Sequence, residues 1–172
     1  MSPENVLRET GTVKRIPLIF HERSGRWVAG LKARLPTDRI HLVETRSRQA
    51  LLEAATSGSP SIVLIEVWDD PEPALRDLAA LTAVGEAPLV LLLGHGVGPD
   101  VRDLAYELGA SFAASDPLPR PEAADLLSRW IALESRRASQ EGWVAPTRVA
   151  RFKGSLTIEE LLEAMHAPAD ER

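Results

Sequence analysis

Apolar positions along this chain follow two alternating rhythms. Short apolar runs, often β-branched, at Ile16 to Phe20, Ile40 to Thr45, Ile62 to Val67, Leu89 to Leu93 and, more weakly, Ala110 to Ala114 have the length and composition of strands. Between them, apolar residues recur every three or four positions, the period of a helix that buries one stripe. Trp27, Val28, Leu31 and Leu35 form the first such stripe, and Ala50, Leu51, Ala54 and Ala55 the second. Leu75, Leu78, Ala79 and Leu81 form the third; Val101, Leu104, Ala105 and Leu108 the fourth; Leu126, Leu127, Trp130 and Ile131 the fifth.

The punctuation agrees with this reading. Ser24 and Ser47 stand where helix N-caps are needed, Pro99 suits a first helical turn, and Pro36, Gly58 with Pro60, Gly85 and Gly109 mark helix ends. The run IVLIEV is nearly all apolar, as in a parallel strand buried on both faces, with one carboxylate, Glu66, near its end. Five strand–helix alternations predict an α/β domain: a flavodoxin-like, doubly wound, five-stranded parallel sheet of order 2-1-3-4-5. Pro17 leaves the register of the first strand open by a residue or two, because a central strand tolerates proline only at its start or at a bulge.

The chain divides into a polar extension over 1–15, the α/β domain over 16–137, a linker over 138–156 and a short amphipathic helix over 157–166. In that helix Thr157 and Glu160 have capping-box spacing, and Ile158, Leu161, Leu162 and Met165 share one face. It is too short to be stable alone in water, so it is expected to dock on its own domain or in a partner's groove, with Leu161, Leu162 and Met165 as the partner-binding residues.

Of the 172 residues, 44% are hydrophobic and 26% charged, the balance of a folded globule with room for one core. A formal net charge of -5 offers no broad attraction to nucleic acid or anionic lipid, and Arg148, Arg151 and Lys153 beside Phe152 read as a solvated segment. Cysteine is absent, which removes disulfides, thiolate zinc sites and thiol nucleophiles. His95 lies in GHGVG, which lacks the lysine and hydroxyl of a phosphate-binding P-loop and reads as a flexible turn; there is no G-x-S-x-G. No apolar run approaches a membrane span and the N-terminal stretch lacks the apolar centre of a secretory signal, so a cytoplasmic location with no membrane partner is expected.

Three segments carry a family resemblance: PSIVLIEV (Pro60 to Val67), PLVLLLGHG (Pro88 to Gly96) and ELGASFAASDPL (Glu107 to Leu118). From Ile16 to about Arg137 the chain resembles the CheY-like receiver domain of response regulators, in a degenerate form. The resemblance places His21 and Glu22 at the acidic pair that binds magnesium, Glu66 at the phosphoacceptor aspartate, Leu93 at the hydroxyl residue and Asp116 at the lysine, with Pro117 kept after it. Glu66 is one methylene too long for a geometry-critical in-line transfer, and Asp116 puts negative charge where a dianion needs neutralising.

These departures imply a pseudo-receiver that works without phosphorylation as a protein-interaction or signalling adaptor in two-component signalling, with no catalytic residue and no cofactor. By resemblance its contact surface spans roughly Pro99 to Trp130. The segment after the domain is shorter than a common output domain, so output is expected through an unidentified protein partner, with a homodimer left open and nucleic acid not expected. The alternative is a small α/β ligand- or metal-binding protein or enzyme that uses strand-end carboxylates, for which Glu22 and Glu66 are the weak metal-ligand candidates; a pocket at Glu22, Glu66 and Asp69 with strongly perturbed pKa values would favour it, and a filled, dry crevice would count against it.

Overall fold

The computed structural model describes residues 15–57, 60–84, 88–115 and 118–139. Strand and helix alternate as β1 (Ile16–His21), α1 (Arg26–Leu31) continued by a 3-10 turn (Lys32–Arg34), β2 (Ile40–Thr45), α2 (Arg48–Thr56), β3 (Ile62–Val67), α3 (Glu72–Ala83), β4 (Leu89–Gly94), α4 (Pro99–Glu107), β5 (Phe112–Ser115) and α5 (Arg120–Ser139). The strands form one parallel sheet in the order β2-β1-β3-β4-β5. Among the described residues no helix is long and apolar enough to cross a membrane. The extension over 1–14, Asp116 and Pro117, the segment beyond 139 and its expected helix with Leu161, Leu162 and Met165 lie outside the described residues.

Two apolar layers sandwich the sheet because strand side chains alternate between its faces. Ile19, Val63, Ile65, Val67, Val90 and Leu92 pack with α2, α3 and α4, whereas Leu18, Phe20, Ile62, Leu64, Leu91 and Leu93 pack with α1 and α5. All six residues of β3 are buried, as its unbroken apolar run predicts. Each fully buried aliphatic side chain there contributes about 1.5–3 kcal/mol.

Pro17 fits because of where the ladders begin. Ile16 donates its N–H to Arg39 on the β2 side, so the next position faces β3, and pairing with β3 starts only at Leu18 opposite Ile62. The missing N–H of proline therefore falls where β1 has no β3 neighbour.

Two local expectations change. Ser47 does cap α2 by accepting from the N–H of Ala50 at 3.3 Å, but Ser24 does not cap α1. Gly25, with φ +72°, is the residue before α1, and the helix N-terminus is capped by the carboxylate of Glu22. The GHGVG turn is also more constrained than a flexible loop: a Cβ on Gly94 would lie 1.7 Å from the carbonyl oxygen of Val67, and one on Gly96 1.8 Å from that of Trp68. Glycine is needed at both for the β4–α4 turn to lie against the β3–α3 turn.

Candidate functional site

The C-terminal ends of β1 and β3, where open α/β sheets bind their ligands, bring His21, Glu22 and Glu66 together. They do not act as one group, because the pleat sends their side chains to different neighbours. Glu66 turns toward the β1–α1 loop, Glu22 toward the start of α1, and His21 toward α2 and α3.

Glu66 has a fully buried side chain. Its Oε2 accepts from the backbone N–H groups of Arg23 (3.1 Å) and Ser24 (3.3 Å), and its Oε1 accepts from the Ser24 hydroxyl (2.9 Å) and Arg26 Nε (3.0 Å). Four donors from one short loop thus surround a carboxylate that desolvation alone would penalise. The Arg26 guanidinium is itself held over two indole rings, 5.7 Å from the Trp27 centroid and 5.6 Å from that of Trp68. Beside Glu66 in the sheet stands Leu93, fully buried, so β4 presents hydrocarbon to this corner.

Glu22 is also buried, and its two oxygens accept from the N–H groups of Trp27 and Val28, both at 2.8 Å. These are orphan amides of the first turn of α1, so the carboxylate does a cap's work and complements the positive end of the helix. Among the described residues no group of three or more histidine and carboxylate side chains is arranged to hold a metal ion.

On the other side of β1, His21 joins a chain that the sequence reading missed. Its Nδ1 lies 2.9 Å from Thr45 Oγ1 and its Nε2 3.1 Å from Asp77 Oδ2, while Arg48 Nε donates to Asp77 Oδ1 at 2.6 Å. Nε2 donates to Asp77, and the Thr45 hydroxyl can either donate to Nδ1 or accept from it, so every contact of the ring is satisfied. Burial pushes the Asp77 carboxyl up, but the hydrogen bonds from His21 and Arg48, with their charge, outweigh it and hold Asp77 below the usual carboxylate range. Asp77 sits within the apolar stripe of α3, between Leu75 and Leu78, and a polar residue inside such a stripe was the one signal available for it.

A cavity of about 100 Å³ opens between these two clusters; Glu22, Glu66, His21 and Asp77 line it together with the exposed Arg23, Arg46, Trp68 and Asp70. Asp70, not Asp69, is the β3–α3 loop carboxylate that reaches it.

No protein-family model and no curated protein matches the sequence. Solved structures do match in shape. A response regulator from Thermotoga maritima aligns at 14% identity with a TM-score of 0.59, covering 69% of this chain and 99% of its own. The receiver domain of the TMAO respiratory system response regulator TorR aligns at 17% identity and TM-score 0.57, covering 69% and 98%. The signal receiver domain of the putative response regulator NarL from Mycobacterium tuberculosis aligns at 16% and 0.57, again covering 69% and 98%. At these identities the likeness is one of architecture, and the chain has the receiver fold.

Proposed function

From a receiver frame whose phosphoacceptor corner is filled by the chain's own donors, we propose that this protein is a pseudo-receiver: a phosphorylation-independent module that signals by contact with other proteins. The observation that carries the reading is the state of Glu66. Both of its oxygens are engaged by Arg23, Ser24 and Arg26 and its side chain has no exposed surface, so neither oxygen has a free approach to an incoming phosphorus. Leu93 adds no hydroxyl there, and Glu22 is committed to capping α1.

The rival reading, a ligand- or metal-binding protein or enzyme that works through strand-end carboxylates, needs Glu22 or Glu66 to be free. Their hydrogen bonds count against it. For contact with partners the reading favours the face of α4, β5 and α5, where Tyr106 and Leu133 are exposed, with Leu161, Leu162 and Met165 as a second element. The partner is proposed to be a signalling protein or a second copy of the chain.

The test is incubation of the full chain with acetyl phosphate and magnesium, read by intact mass. An unchanged mass is expected, and gain of one phosphoryl group on Glu66 would overturn the proposal. In parallel, proteins retained from the native cell by the wild-type chain should be lost with Tyr106→Asp and kept with Glu66→Gln. The opposite pattern would move the contact surface to the strand-end corner.

A further inference from the structure

Helix α5 carries more apolar side chains than the sheet takes up. Ala123, Ala124, Leu127 and Ile131 are buried, whereas Leu126 and Trp130 are only partly covered and Leu133 is 41% exposed. Positions 126, 130 and 133 fall at i, i+4 and i+7, so they form a second stripe along the helix, left partly open among the described residues. Arg129 lies three positions after Leu126 and four before Leu133, and Arg136 lies three after Leu133, so two exposed arginines border this stripe. Glu122 and Asp125 stand before its first position, which leaves the later turns cationic. The neighbouring α4, where Tyr106 is exposed, has the reverse balance: Asp100, Asp103 and Glu107 against Arg102.

We propose that residues 157–166 of this chain dock on the open stripe of α5 as an amphipathic helix and keep that face covered until a partner displaces them. By their spacing Ile158, Leu161, Leu162 and Met165 share one side of the segment, which carries Glu159, Glu160 and Glu163 and, over 157–165, no arginine or lysine. Apolar burial supplies the attraction, and the charges, each worth little on a surface, select α5 over α4. The tether permits the contact. Leu126 lies about 20 Å back from Ser139, where α5 ends, at about 1.5 Å per residue. Residues 140–156 span up to about 55 Å when extended. A tether of that length presents the segment at an effective concentration on the order of a millimolar, so even a weak contact is occupied. Competition with a partner rests on the adaptor reading, whereas the contact within the chain does not.

The chain has no cysteine, so a nitroxide attached through Glu160→Cys, on the side of the segment away from its apolar residues, reports from one place. In the full isotope-labelled chain, the amide signals of residues 126–137 are expected to broaden strongly and those of α2 and α3, on the other face of the sheet, to stay sharp. Leu133→Asp should abolish the broadening, and Val84→Asp, at another exposed apolar position, should leave it intact. Arg129→Glu with Arg136→Glu should reduce it, and adding Glu159→Arg with Glu163→Arg should restore it. Retained dispersion of the core amides verifies that the variants are folded. Broadening that survives Leu133→Asp, ignores the charge reversal or spreads evenly over the domain would overturn the contact. So would broadening in a mixture of nitroxide-bearing chains without isotope and isotope-labelled chains without nitroxide, which would assign the stripe to a second copy. None of these results bears on covalent phosphorylation, which the mass measurement reads separately.

Discussion

Two buried carboxylates flank the end of β1, and they are held in opposite ways. Glu66 takes all its donors from one loop, residues 23 to 26, so its bonds draw that loop over the end of β3 and close it. Asp77 takes its partners from β1 and α2, and through His21 it reaches β2, so its bonds pin separate elements together at the edge of an open cavity. The comparison shows that a buried charge can either seal a site or frame one, according to whether its donors come from a single loop or from several elements.

The largest expected effect comes from opening the sealed side. Glu66→Ala removes the acceptor of four donors, Arg26 among them, and breaking a buried ion pair from one side costs about 3–5 kcal/mol. Arg26 is about one-third exposed, so rehydration sets the loss near the lower end of that range. Urea unfolding measures it, and a loss below about 1 kcal/mol would mean that the loop is held by something other than Glu66.

A smaller effect, with a distinct pH signature, is expected at the framing carboxylate. Asp77→Asn weakens two charge-assisted bonds, for a loss of about 1.5–3 kcal/mol at neutral pH. Because folding lowers the Asp77 pKa, the stabilisation is fully present above the unfolded value of about 3.9 and is lost as pH falls through the lower folded value. The gap between wild type and Asp77→Asn in urea midpoints should therefore be constant near neutrality and shrink through that acid window. A gap that stays constant down to pH values well below the window would contradict the assignment.

The smallest effect sharpens the contrast. Thr45→Val deletes a single side-chain hydrogen bond to His21, for about 0.5–1.5 kcal/mol. Amide shifts should move in α2 and α3 and stay fixed in the β1–α1 loop. Perturbation of the Ser24 and Arg26 amides would show that the two clusters are coupled and not separate.

Much of the architecture was legible in the residues alone. The period-2 and period-3.6 rhythms located all five strands and five helices, and the fully apolar Ile62 to Val67 run marked the strand buried on both faces. The alternation also fits another doubly wound order, and the strand pairings give the expected 2-1-3-4-5. Local chemistry was legible where partners are near in sequence, as with Ser47 and Ala50, and misread where another group competes: Ser24 has a cap's position, but its hydroxyl donates to Glu66.

What the sequence determined by itself was the alternation of elements, the buried face of each, and the absence of aspartate, hydroxyl and lysine from the positions that resemble a phosphoacceptor site. Only the tertiary structure decided what replaced them. His21 and Asp77 are 56 positions apart and Arg26 and Glu66 are 40 apart, and nothing periodic links such pairs along the chain. Helix and strand patterns arise from the repeat of the backbone and can be read locally. A buried charge is settled by whichever donors the finished packing brings within about 3 Å, and the chain ordering carries no record of that meeting.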